Sequence, residues 1–305
     1  MMRVAAVDCG TNSIRLLVTD LSAAGQQDLH RENRVVRLGQ GVDRTGELAP
    51  EAIERTRVAL SAYAATCADL VVSRTRMVAT SATRDASNRE AFVQMVRDTL
   101  GVEPEVVSGD EEARLSFTGA TRELAASGSP FLVADIGGGS TEIVLGGTSV
   151  TAARSVDIGC VRLTERHLAD DPPTPAQVAA SVDDIDNALA LVRAVVPVEQ
   201  ARTPIGLAGT VTTVAALALG LPSYDAERIH LSRLSAADVR RVAGDLLTMS
   251  RAERAALPVM HPGRVDVIAA GALILRTLVD RCGWDEVLVS ESDILDGIAW
   301  SCYEN

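Results

Sequence analysis

The sequence predicts an α/β protein made of two copies of one unit, and three observations predict it. A strand, glycine turn and strand occur twice, the aspartates that open the turns being 127 residues apart. A second strand that leads into a helix recurs at about the same offset. The length, 305 residues, is enough for two domains of ordinary size.

The first turn is Asp8-Cys9-Gly10-Thr11-Asn12-Ser13 and the second is Asp135-Ile136-Gly137-Gly138-Gly139-Ser140, both of the form D-x-G-x-x-S. Each follows an apolar run, Val4 to Val7 and Phe131 to Ala134. Each precedes a β-branched run, Ile14 to Val18 and Thr141 to Leu145. That pattern is a hairpin signature. Arg76-Met77-Val78-Ala79-Thr80 reads as a short buried strand running into Ser81-Ala82-Thr83-Arg84 and a helix. Pro204 to Ala208 runs likewise into Gly209-Thr210-Val211-Thr212, with a helix from about Thr213.

The connecting elements follow in order. Pro50 starts a helix through about Leu70, with Ile53, Val58 and Leu60 at apolar positions. Asn88 to Leu100 is another, ended by Gly101. The strand Glu105-Val106-Val107 leads into a helix from Asp110 to Leu124. The small, polar stretch Ala125 to Pro130 is the best linker, so the domains are expected at 1–126 and 127–305. Thr174-Pro175 caps a helix to about Val195, and Val265 to Cys282 is a long apolar helix buried on most sides. Strand Glu286 to Val289 and a final helix from Ile294 to Tyr303 close the chain. The segment 293–305 is expected to pack back on the first domain.

Composition excludes several function classes. No apolar run approaches the roughly 20 residues of a membrane helix. Asp8 comes too early for a signal-peptide core, so the start reads as a first strand. The five cysteines include no C-x-x-C pair, and the four histidines are scattered. A disulfide framework or zinc site is therefore not expected, and a cytoplasmic location is. The chain has arginine but no lysine, which rules out a lysine-dependent phosphate loop. The net charge of −12 argues against a nucleic-acid partner. Residues 1–125 hold 15 arginines against 18 acids, and the rest 14 against 23. A polyanion would prefer the first half, or a local arginine cluster.

Three places can carry chemistry. In Asp135 to Glu142 the glycines allow close backbone approach and an amide nest for an anion. Ser140 and Thr141 add hydroxyls, Asp135 can hold Mg²⁺ or its waters, and Glu142 is the first side chain able to point back. One such loop is as often a plain hairpin as a site; two matched loops favour phosphate. In Ser108-Gly109-Asp110-Glu111-Glu112 the paired glutamates would ordinarily serve only the helix dipole. Here they follow a strand end, and no histidine is placed for the base role, so a glutamate is expected to orient the attacking water. Arg84, also just past a strand end, suits phosphate, against the commoner pairing with Asp85. Arg74 and Arg76 are weaker candidates that could sit on opposite faces.

These residues resemble the exopolyphosphatase and guanosine pentaphosphate phosphohydrolase family. The resemblance is carried by Asp8-x-Gly10-Thr11-Asn12-Ser13-x-Arg15, Thr80-Ser81-Ala82-x-Arg84, Ser108-Gly109-x-Glu111-Glu112-Ala113, Asp135 to Glu142, Gly209-Thr210-Val211-Thr212 and Gly263-Arg264-x-Asp266, in order over nearly the whole chain. It implies two ribonuclease-H-like domains of the actin-like ATPase superfamily, with a cleft between them, in the short two-domain form. It implies Glu112 as catalytic base with Arg84 beside the chemistry, and Asp135, Glu142 and Asp8 as acids associated with Mg²⁺, or Mn²⁺ in its place. Asn12, Ser13, Gly137, Gly138, Gly139, Ser140 and Thr210 would hold phosphates.

The expected reaction is therefore hydrolytic release of the terminal phosphate of inorganic polyphosphate, short chains preferred, with no covalent intermediate. Guanosine pentaphosphate is the nearest rival substrate. A non-catalytic polyphosphate or alarmone sensor and a sugar-kinase-like transferase are the other readings. The acids at 112, 135 and 142 speak against a sensor, and no sugar-specific base is found. No nucleic-acid or membrane partner is expected. A homodimer is the assembly that would extend a basic track for long chains.

Overall fold

Residues 1–304 are described in the computed structural model. The chain divides into two units, Met1–Gly119 with Ile294–Asn305, and Ala120–Asp293.

The first unit is built on β1 (Met2–Cys9), β2 (Ser13–Ser22), β3 (Gly25–Val35), β4 (Arg74–Ala79) and β5 (Glu105–Val106), in the order β3-β2-β1-β4-β5. The first three strands are antiparallel, and β4 runs parallel to β1. Its helices are α1 (Val42–Thr45), α2 (Pro50–Asp69), α3 (Ser81–Asp85), α4 (Arg89–Leu100), α5 (Gly109–Thr121) and the chain's last helix, Ile294–Glu304. Strand periodicity decides how they pack. Ala5, Val7 and Cys9 face a core shared with Leu60, Tyr63 and Phe92 of α2 and α4. Val4 and Ala6 face the other way, against Leu115 of α5 and Ile298 of the last helix. A Cβ on Gly297 would lie 2.0 Å from the Leu115 carbonyl oxygen, so only glycine lets the last helix cross α5 this closely.

The second unit repeats the plan. Its strands are β6 (Phe131–Ile136), β7 (Thr141–Gly146), β8 (Val150–Val156), β9 (Thr203–Leu207), β10 (Arg233–Ser235) and β11 (Glu286–Val289), in the order β8-β7-β6-β9-β11-β10. Around them lie α6 (Cys160–His167), α7 (Pro175–Arg193), α8 (Ala208–Ala218), α9 (Ala226–Ile229), α10 (Ala236–Thr248), α11 (Arg251–Ala255) and α12 (Ile268–Cys282). The last helix of the chain is thus α13. In each unit the hairpin lies beside a parallel fourth strand, the ribonuclease-H-like order, present twice. Asp8 is registered with Val78 on β4, and Asp135 with Leu207 on β9.

Several expected boundaries shift for physical reasons. Ala126–Gly128 is a 3₁₀ turn inside the second unit, tied down where the Thr203 hydroxyl donates to the Gly128 carbonyl at 2.7 Å, and not a free linker. Helix α5 stops at Thr121, three residues short of Leu124. Helix α12 begins only at Ile268, because Pro262–Arg264 forms its own 3₁₀ turn. Helix α8 begins at Ala208, so Gly209 and Thr210 lie in its first turn rather than in a preceding loop. Val58 is 54% exposed and lies outside the core. Arg74 and Arg76, two residues apart on β4, share a face and line one surface pocket with Glu105, Glu111, Ser301 and Cys302. No helix among the described residues is long and apolar enough to cross a membrane.

Candidate active site

The second hairpin turns through Gly137 to Ser140, closed where the Gly137 amide donates to the Ser140 carbonyl at 3.0 Å. The other loop carbonyls point to one side. Cys160 N donates to Gly137 O at 3.0 Å, and Val161 N and Arg162 N donate to Gly138 O at 2.9 and 3.1 Å. Arg162 Nε donates to Gly139 O at 2.7 Å. The acceptors are thus consumed by the first turn of α6, whose unpaired amides need such partners. Among the described residues the amides of Gly138, Gly139 and Ser140 donate to no protein acceptor. In a trans peptide each of them points opposite to a fastened carbonyl. Three amides aimed to one side are what an anion nest requires. The approach of α6 is close: a Cβ on Gly159 would meet Gly138 backbone atoms at 2.4 Å.

Asp135 and Glu142 flank this loop as direct cross-strand partners, and Ser155 on β8 is the next residue in the same row. Cross-strand partners share a face. Asp135 is 7% exposed and Glu142 1%. Ser155 Oγ donates to Glu142 Oε1 at 2.7 Å, which fixes the glutamate. Two buried carboxylates side by side are a donor set that fits a hard divalent cation. No group of three or more His, Cys, Asp or Glu side chains among the described residues is placed to hold a metal ion. A cation here would complete its shell with water and phosphate oxygens, the usual habit of Mg²⁺.

The first hairpin has the same form with a different charge. Asp8 is registered with Arg15, the position equivalent to Glu142. Arg15 Nε and Nη2 donate to Asp8 Oδ2 at 3.0 and 2.8 Å. Asp8, expected as a metal acid, also forms an ion pair with Arg15 through Oδ2. The tip carbonyls are fastened as in the second loop: Gly39 N donates to Thr11 O at 2.8 Å, and Val36 N and Arg37 N donate to Asn12 O at 3.1 and 2.8 Å. Asn12 and Ser13 remain half-buried. The Thr11 hydroxyl is buried without a hydrogen-bond partner.

Glu112 and Arg84 come together in the first unit. Arg84 Nη1 donates to Glu112 Oε2 at 3.0 Å and to the Val107 carbonyl at 3.1 Å. The bond thus spans the short helix after β4 and the first turn of α5. Glu112 is 7% exposed, whereas Glu111 is half-exposed and lies 3.7 Å from Arg76 and 3.5 Å from Arg114. The geometry separates the two glutamates that sequence left adjacent.

Thr210, expected to hold phosphate, lies in the first turn of α8. Its hydroxyl is turned inward, 2.4 Å from where a Cβ on Gly271 would stand, so its side chain packs rather than projects. Two residues earlier, Ala208 has φ +67°, a left-handed value that is strained for alanine and makes the turn from β9 into α8 abrupt. Arg264 Nη1 donates to Gly209 O at 2.9 Å and to Thr213 Oγ1 at 2.8 Å. A side chain at Gly209 would collide with that guanidinium.

The thiols beside the loops are inert by placement. Burial pushes the Cys160 thiol up to about 11. Burial, and then the neighbouring Asp8, push Cys9 well above its ordinary value.

Comparison with known proteins gives one family. Residues 17–304 match the Ppx/GppA phosphatase family. Exopolyphosphatase 2 of Mycobacterium tuberculosis is 54% identical over 314 residues, covering 99% of this chain and 98% of that protein. A guanosine-5'-triphosphate,3'-diphosphate pyrophosphatase of Photobacterium profundum is 30% identical, covering 97% of this chain and 58% of that protein. A crystal structure described as an exopolyphosphatase-like protein superposes with a TM-score of 0.96 at 43% identity, covering 99% of both chains.

Proposed function

The chain belongs to the Ppx/GppA phosphatase family, and from that premise we propose that it is an exopolyphosphatase, removing the terminal phosphate of inorganic polyphosphate by hydrolysis. The observation that carries the chemistry is the glycine loop, with three amides aimed to one side beside two buried carboxylates. The choice of polyphosphate is supported by the 54% full-length identity to a protein named Exopolyphosphatase 2, against 30% to the guanosine-type relative.

In this proposal Gly138, Gly139 and Ser140 hold phosphate oxygens through their amides, and Asn12 and Ser13 do so from the first hairpin. Asp135 and Glu142 would hold Mg²⁺, or Mn²⁺ in its place. When bound, the ion neutralises charge on the bridging and terminal oxygens. Glu112 takes the proton of the attacking water, and Arg84 fixes the carboxylate that does so. Buried thiols take no part. The protein acts in the cytoplasm, and short chains are preferred, because residues 126–305 carry nine of the twelve excess negative charges and repel a long polyanion.

Parallel measurement of phosphate release from tripolyphosphate, long polyphosphate and guanosine pentaphosphate tests this. Higher kcat/KM on tripolyphosphate than on the other two is expected. Preference for guanosine pentaphosphate would replace the substrate while keeping the chemistry.

A further inference from the structure

The two glycine turns are fastened by different means. In the first, every contact described above is backbone to backbone, from the segment Val36 to Gly39. In the second, the carbonyl equivalent to Asn12 O is Gly139 O, and a side chain holds it: Arg162 Nε, at 2.7 Å. Gly139 has no Cβ to restrict its own torsions, so the orientation of the Gly139–Ser140 peptide depends on what fastens it. A peptide's carbonyl and the next N–H point in opposite directions. Holding Gly139 O against α6 therefore aims the Ser140 amide away from α6.

Building on the proposed role of this loop in holding phosphate, we infer that Arg162 is a positioning residue for the reaction. Its Nε–H holds the last peptide of the nest, so that the Ser140 amide meets a phosphate oxygen without reorganising. Preorganised donors of this kind act because they are already aimed when charge develops. What positions the loop is the Nε hydrogen bond and not the positive charge, and that distinction can be measured. The amide nitrogen of glutamine and the Nε of arginine are both bonded to Cδ. Arg162→Gln can therefore keep a donor at the same position without charge, while Arg162→Met keeps the length and apolar stem with no donor.

The test uses the full chain with Mg²⁺, tripolyphosphate as substrate, and inorganic phosphate as the probe for calorimetric binding. Arg162→Met is expected to weaken phosphate binding and lower kcat/KM by ~10-fold or more, the scale of small misplacements in a site. Arg162→Gln is expected to recover most of that loss. Wild-type phosphate affinity in folded Arg162→Met would overturn the inference. So would an Arg162→Gln variant as weak as Arg162→Met, which would assign the role to charge. Should Arg162→Met not fold, Arg162→Gln decides alone, since loss of phosphate binding in that folded variant overturns the inference. The wild-type protein tests the underlying function separately. If it neither binds phosphate nor hydrolyses tripolyphosphate, that function fails and the inference with it. If it does both, only the variants decide.

Discussion

Asp135 on β6 and Glu142 on β7 are direct cross-strand partners, and both are buried. The same pair of positions in the first hairpin holds Asp8 and Arg15, joined by an ion pair at 2.8 Å. One repeat thus neutralises its aspartate internally, and the other sets a second acid against it. Like charges directly opposite on a sheet cost stability, and the proposed cation would offset that cost.

Glu142→Gln should separate that cost from its use. In the absence of metal the variant should melt ~1–4 °C above wild type, as expected for relieving a repulsion below about 1 kcal/mol. Added Mg²⁺ should raise the wild-type melting temperature and leave the variant unmoved. Activity should fall by at least ~10-fold. Equal Mg²⁺ stabilisation of both proteins would remove the cation from this pair.

Glu112→Gln should leave folding and substrate affinity nearly intact and lower turnover by ~100-fold or more, the scale of a lost general base. Glu111→Gln should be much milder, because that side chain is half-exposed beside Arg76 and Arg114. Steady-state kinetics on both variants decide. Greater sensitivity at Glu111 would move the base to the other glutamate.

Arg84→Met should destabilise the protein by roughly 1–3 kcal/mol, because the buried Glu112 carboxylate loses a charged donor. Adding Glu112→Gln to that variant should restore part of the stability and none of the activity. Such coupling is expected of groups in direct contact. Denaturant titration of the two single variants and the double variant measures it, and strict additivity would show that the 3.0 Å bond carries no energy.

Cys9 and Cys160, one beside each glycine turn, should stay unlabelled by iodoacetamide at pH 8 in the native protein. Burial holds Cys160 near 11, where the thiolate fraction at that pH is about one part in a thousand. Peptide mass spectrometry should find these two labelled only after denaturation. Rapid native labelling of Cys160 with loss of activity would contradict the geometry.

What could be read from the sequence was what lies close along the chain. The D-x-G-x-x-S turns announce themselves because glycine, hydroxyl and strand residues sit within six positions. The strand β3 does not, because it is an edge strand whose Asp28, Arg31, Glu32 and Arg34 keep it polar. Gly209-Thr210 reads as a loop because glycine usually breaks a helix. Here glycine marks the space that Arg264 fills, 55 residues away. Gly159 and Arg162 went unseen for the same reason: they act on loop carbonyls about 20 residues upstream, through packing that no local pattern encodes. A search for what fastens the second turn as Val36 to Gly39 fastens the first would have found them.

The proposed reaction is water attack on the terminal phosphorus of a polyphosphate. It is tested most directly by hydrolysing tripolyphosphate with Mg²⁺ in ¹⁸O-water and weighing both products. One ¹⁸O in each released phosphate and none in the pyrophosphate is the predicted result. Label in the pyrophosphate, or no phosphate released at all, would contradict it.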